Sequence, residues 1–126
     1  MSFKLRKHQR LKSPEEFKLV YGNKQWGNTR LLTFNVLSVT HESQLGVTVS
    51  KKVSKLAVRR NELKRIVREF YRHKKAELVA AKLVITVKPA ARNASNGEVR
   101  AELEELWVKL LKWQRWNSHQ QNRDDA

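Results

Sequence analysis

Leu45-Gly46-Val47-Thr48-Val49-Ser50 runs through Lys51-Lys52-Val53-Ser54-Lys55 into Leu56-Ala57-Val58-Arg59-Arg60-Asn61-Glu62-Leu63-Lys64-Arg65-Ile66-Val67-Arg68-Glu69-Phe70-Tyr71-Arg72, and the change of period inside this stretch decides the fold. In its first part Leu45, Val47 and Val49 share one face, the two-residue period of a strand. In its second part Leu63, Ile66, Val67 and Phe70 recur at i, i+3, i+4 and i+7, the stripe of a helix packed on a core. Arg60, Lys64, Arg65, Arg68 and Arg72 lie off that stripe. A helix held down by its apolar side and presenting cations outward suits a polyanion with regularly spaced charges, which means nucleic acid.

Working outward, Leu31 to Val39 also alternates: Leu32, Phe34 and Val36 point one way, Leu31, Thr33, Asn35, Leu37 and Val39 the other. With only the polar turn His41-Glu42-Ser43-Gln44 between them, this strand and Leu45–Ser50 are expected to form an antiparallel pair. Leu83-Val84-Ile85-Thr86-Val87 is a continuous apolar run, the mark of a strand buried on both faces. Ser13-Pro14-Glu15-Glu16 opens a short helix with Phe17, Val20 and Tyr21 on one side. Gly22 to Asn28 reads as a loop or hairpin-like connection. Ser95-Asn96-Gly97-Glu98 is a second capping box, weakened by its glycine. The helix after it lines up Val99, Leu103, Leu106, Trp107, Leu110 and Leu111. The expected organisation is one domain over residues 1–113 and a polar, frayed, flexible tail over 114–126. The order α-β-β-α-β-α predicts an α+β fold, a sheet covered by helices.

The chain has 126 residues, with 27 Lys and Arg against 12 Asp and Glu, a net charge of +15. Surplus charge of one sign strains the compact state by self-repulsion, and a polyanionic partner relieves it. The absence of cysteine rules out disulfides, thiolate zinc sites and cysteine nucleophiles. No stretch approaches the roughly 18 apolar residues of a membrane span. The basic N-terminus lacks the apolar core of a secretory signal. A cytoplasmic protein is expected, with neither a membrane nor a small-molecule substrate as partner.

No catalytic set stands out. His8, His41, His73 and His119 fall in separate elements, without metal-ligand spacing. Glu15/Glu16, Glu104/Glu105 and Asp124/Asp125 have ordinary readings at a helix start, on a helix surface and in the tail. No catalytic or metal-binding residue is therefore assigned, and no cofactor for the protein alone. Phe17, Tyr21 and Phe34 have two readings: core residues, or part of a groove that stacks unpaired bases beside the basic helix.

Leu45–Val53 followed by Ala57–Phe70 resembles the protein component of bacterial ribonuclease P, whose hallmark is a helix reading R-N-R-x-K-R-x-x-R. Arg10-Leu11-Lys12-Ser13-Pro14-Glu15-Glu16-Phe17 and Leu103-Glu104-Glu105-Leu106-Trp107 resemble the family's opening and closing helices, so the likeness runs from Arg10 to Lys112. It implies a compact α-β sandwich with a four-stranded sheet and an unusual left-handed βαβ crossover, against the general right-handed rule. The strands evident here number three, and the fourth is expected at Lys51–Val53 or in a split of an earlier strand.

The resemblance further implies a subunit of an endoribonuclease that removes the 5′ leader from precursor tRNA, with catalysis and bound Mg2+ on the RNA subunit. Carried over by position, Arg60, Asn61, Lys64, Arg65 and Arg68 would contact the catalytic RNA, with Lys51 and Lys52 beside them. Phe17, Tyr21 and Phe34 would line the cleft for the single-stranded leader. Glu62 departs from the pattern, standing where arginine is usual, with Arg65 at i+3 placed to shield it. A structural RNA-binding protein of the ribosome or an RNA chaperone explains the charge and the helix equally, but not a leader groove.

Overall fold

The computed structural model describes residues 9–39 and 43–124, with side chains as far as 120. The first eight residues with their cations, the turn residues His41 and Glu42, and Asp125 lie outside that range. The elements are α1 (Pro14–Gly22), β1 (Trp26–Asn28), β2 (Leu32–Ser38), β3 (Gln44–Val49), α2 (Ala57–Lys74), β4 (Ala81–Val87) and α3 (Asn96–Asp124). Single 3-10 turns at Lys75–Glu77 and Pro89–Asn93 flank β4.

The strands form one four-stranded sheet in the order β1-β2-β4-β3. β4 runs antiparallel to β2 and parallel to β3. The expected β2–β3 pair is therefore corrected: β4 lies between them. Its side chains explain why. Leu83, Val84 and Ile85 are all buried, on alternating faces, and such a strand belongs inside the sheet with cover on both sides. The short connection from β2 to β3 can accommodate this, because skipping one strand spans only about 10 Å, within reach of a five-residue extended link of roughly 16 Å. Val39 N–H donates to Ala80 O, and Ala81 N–H to Ser43 Oγ, so the link is tied across the start of β4.

The fourth strand is also corrected. Lys51–Val53 is a turn, and the missing strand is Trp26–Asn28, paired antiparallel with Asn35–Thr33. Glycine and asparagine disguise it as loop in the sequence. Gly27 is needed where it stands, because an added Cβ would come within 2.7 Å of the Phe34 ring. Lys24 turns the chain from α1 into β1 with φ 58°, a left-handed conformation uncommon for a side-chain-bearing residue.

The sheet divides the interior in two. One face packs against α2 and α3 through Phe34, Val36, Val47 and Ile85, with Leu63, Val67, Tyr71, Leu103, Trp107 and Leu110 from the helices. The other face packs α1 through Leu11, Val20 and Val84, with Phe17 and Leu37 alongside. Before α1, Leu11 N–H donates to Leu45 O, so the chain covers the outer edge of β3.

Both predicted helix starts are present. Ser13 Oγ accepts from Glu16 N–H at 3.2 Å, and Ser95 and Glu98 make a reciprocal capping box at 3.1 and 3.3 Å. The backbone N–H and then the hydroxyl of Ser95 hold the Glu98 carboxyl below the usual carboxylate range.

The frayed tail expected from residue 114 is corrected to helix as far as Asp124. Trp113 Nε1 donates to Gln25 Oε1, Gln114 Nε2 to Glu77 O, and Asn117 Nδ2 to Ser38 Oγ. These bonds dock the added turns on the sheet and on the turn after α2, a tie that a polar sequence does not advertise.

Two glycines make contrasting predictions. Gly27→Ala drives a methyl into the buried Phe34 ring, which has no room to move, and should cost about 1–3 kcal/mol in urea unfolding. Gly46→Ala meets the Phe17 ring at 2.6 Å. That ring is half-buried and can swing toward solvent, so the stability loss should be smaller. The displaced ring should show in the aromatic NMR shifts.

Candidate RNA-binding surface

α2 presents two chemically distinct sides. Leu63, Ile66, Val67 and Tyr71 are buried in the core, and Phe70 packs edge-on against Trp107 with ring centroids 5.8 Å apart. On the outward side Asn61 and Arg65 are exposed, while Lys64 and Arg68 are half-buried, four positions that share one face at i, i+3, i+4 and i+7. Among the described residues no ion pair involves Lys51, Lys52, Lys64, Arg65 or Arg68. The first turn of α2 holds no acid, and no side chain caps it. Its free N–H groups therefore add the positive end of the helix dipole to the same region.

Lys51 and Lys52 project from the turn between β3 and α2. Val53, 1% exposed, anchors that turn in the core, while Val53 N–H donates to Ser50 O and Lys52 N–H to Ser50 Oγ. Arg60 serves the same turn, donating from Nη1 to Ser54 O at 2.8 Å. It is thus partly a structural strut, with its remaining donors at the helix start.

Glu62 has a partner other than the one expected. Arg59, three residues earlier, donates to Glu62 Oε1 at 2.8 Å, and Asn96 Nδ2 donates to the same oxygen at 2.6 Å. Arg59 also reaches Asn96 Oδ1 and Ala94 O. The carboxylate therefore faces the start of α3 and joins two elements. Nothing in the sequence marks this beyond an arginine at i−3, because Asn96 comes from 34 residues away.

The aromatic trio separates. Phe17 is half-buried against Gly46, and Tyr21, one turn on, is 42% exposed. Phe34 is 2% exposed and packs on the opposite face of the sheet, with α2 and α3. Its assignment to the cleft is corrected by the strand's own alternation. Phe34 shares a face with Leu32 and Val36, whereas Thr33, Asn35 and Leu37 share the face of α1.

Phe17 instead joins cations. A cavity of about 440 Å3 is lined by Arg10, Leu11, Lys12, Phe17, Leu45, Gly46, Val47 and Arg68. Its charged lining is three cations and no carboxylate. Burial, and then the nearby Arg10 charge, lowers the pKa of Arg68 from its ordinary value. Two neighbouring guanidinium groups with no counter-charge among the described residues favour an anion between them. Arg68 thus belongs both to the outer face of α2 and to the cleft beside α1. Arg10 and Lys12 were not singled out as site residues; the period-2 pattern Arg10-Leu11-Lys12, apolar in and basic out, is the signal that finds them.

Among the described residues no three His, Asp or Glu side chains converge as a metal-binding set. No helix among them is long and apolar enough to cross a membrane.

Comparison with known proteins agrees with this geometry. The family model described as Ribonuclease P matches residues 5–111. The ribonuclease P protein component of Aliivibrio fischeri is 37% identical over 114 residues, covering 87% of this chain and 95% of the relative. That of Thioalkalivibrio sulfidiphilus is 34% identical over 102 residues, covering 80% and 85%. Among solved structures, the RNase P protein of Staphylococcus aureus superposes with a TM-score of 0.76 at 23% identity, over 81% of this chain and 94% of that one. That of Thermotoga maritima gives 0.68 at 26% identity, over 82% and 94%. From its sequence, its sheet and its basic helix together, the chain belongs to the bacterial ribonuclease P protein family.

Proposed function

We propose that this chain binds the catalytic RNA of ribonuclease P through α2 and grips the single-stranded 5′ leader of precursor tRNA in the cleft beside α1. The carrying observation is Arg68. It lies on the outer face of α2 and lines the cavity that holds Phe17, Arg10 and Lys12, so one cationic surface, without ion pairs among the described residues, runs from helix to cleft. The family match supports the tRNA-processing role and leaves the ribosomal or chaperone alternative without support.

The reaction is hydrolysis of one phosphodiester bond. We assign the chemistry to the RNA subunit, as the family resemblance implies, and Mg2+ held there would supply the charge stabilisation that displacement at phosphorus needs. The protein contributes position and charge. Lys51, Lys52, Asn61, Lys64, Arg65 and Arg68 lower the repulsion between two RNAs. Phe17 and Tyr21 stack leader bases, and Arg10 and Lys12 hold its phosphates. Such contacts orient a strand without reading its sequence. The site of action is the cytoplasm, where precursor tRNA is made in bacteria.

The assignment is tested by cleavage of 5′-end-labelled precursor tRNA at low magnesium with the protein, a bacterial ribonuclease P RNA, or both. Cleavage at the mature 5′ end with both, and not with the protein alone, is the expected result. No gain over the RNA alone, with the protein folded, overturns it.

Two variants probe the surface. Arg65→Ala should weaken binding to the RNA subunit and reduce the slope of log K against log salt by about 1. An unchanged slope would remove Arg65 from the interface. Glu62→Arg removes an exposed pair worth less than about 1 kcal/mol, while adding a cation and releasing Arg59. It should tighten RNA binding with little change in melting temperature; a weaker complex would mean that the Arg59–Glu62–Asn96 tie shapes the RNA-binding surface.

A further inference from the structure

The α1 face of the sheet continues well beyond Phe17 and Tyr21. Trp26 pairs with Asn35, Asn35 with Val84, and Val84 with Gly46. Residues directly opposite one another in a ladder point to the same face. These four therefore form one row across the whole sheet, spanning about 14 Å at the usual strand spacing. The Phe17 ring lies over Gly46 at one end, and Trp26 stands at the other.

Trp26 is 61% exposed. Its neighbours in sequence show that the indole is not a misplaced core residue. Gln25 is held from the opposite side by Trp113 of α3, and Gly27 lies against the core ring of Phe34. Alternation therefore turns Trp26 to the α1 side. Lys24, also exposed, stands two residues before it.

The adjacent row is Asn28, Thr33, Thr86 and Thr48, all polar, with Thr48 Oγ1 donating to Thr86 Oγ1 at 2.9 Å. A polar row beside a line with an aromatic at each end suits a strand that stacks bases and hydrogen-bonds through its sugars. The row ends at Gly46, which also lines the cleft with Arg10, Lys12 and Arg68, and the net charge of +15 favours an anionic occupant.

We propose that the single-strand track extends across the sheet to Trp26, which stacks a leader base lying further along the strand than those held by Phe17 and Tyr21. This rests on the leader-binding reading above and adds a length requirement. Only leaders long enough to cross the sheet gain from Trp26.

The test uses the reconstituted holoenzyme and precursor tRNAs whose leader is lengthened one nucleotide at a time. Wild-type affinity should climb to a plateau. Trp26→Ala should match wild type with short leaders and fall about 5- to 150-fold below it with long ones, the range of one stacked base. Trp26→Phe should recover most of the loss. An equal loss at every length, or no loss at all, overturns the proposal. So does an effect confined to self-association of the protein, which would make Trp26 a contact between copies. If wild type itself gains nothing from a leader, the leader-binding reading fails. If it gains and Trp26→Ala gains equally, only the extension fails. Because the indole is mostly exposed, its removal leaves no core cavity, and thermal melts of each variant verify the fold.

Discussion

Burial of β4 on both faces is the constraint from which the architecture follows. Leu83 and Ile85 demand cover on one side and Val84 on the other, so one layer of helices is not enough. α2 and α3 supply the first cover and α1 the second. The two covers differ in extent. The long pair buries most of its face, whereas α1, of nine residues, leaves the rows running toward Thr33 and Trp26 open. Those open rows are the uncovered remainder of a sheet whose central strand had to be covered twice.

Charge is sorted along the same division. Three acids of α2 and α3 are engaged near the junction of those helices: Glu62 with Arg59 and Asn96, Glu69 with Arg72, Glu104 with Lys74. The cations of the outer face of α2, and those that meet Phe17, have no such partners among the described residues. Exposed ion pairs contribute little stability individually. Their placement matters more, because carboxylates directed toward α3 do not oppose a phosphate approaching from the other side. Glu62 illustrates this. At a position where the family signature has arginine, its oxygen is turned to Asn96 at the start of α3.

Arg68 and Gly46 link the two parts of the surface. Gly46 lets an aromatic ring lie directly on the strand, which no residue with a Cβ permits without displacement. Arg68 comes down from α2 to the same cavity. Burial, and then the nearby Arg10 charge, disfavours the charged Arg68 guanidinium, and an anion in the cavity would offset both.

By itself the sequence determined the type of the three helices and of three of the four strands, the capping of α1 and α3, the apolar stripe of α2 and the cationic character of its other side. These are properties of residues near one another along the chain, where a period of two or 3.6 assigns faces directly. It also carried the family, because Leu45 to Phe70 keeps its motifs in order. Only the tertiary structure decided that β4 separates β2 from β3, that Trp26–Asn28 is a strand, and that Phe34 lies on the far face from Phe17. The same holds for the partners of Glu62 and for the helix beyond Trp113. Each depends on contacts between residues distant in sequence, and β1 exists as a strand only because β2 offers an edge for it to pair with. Local pattern says which side of an element is apolar. What that side meets is settled by the packing of the whole chain.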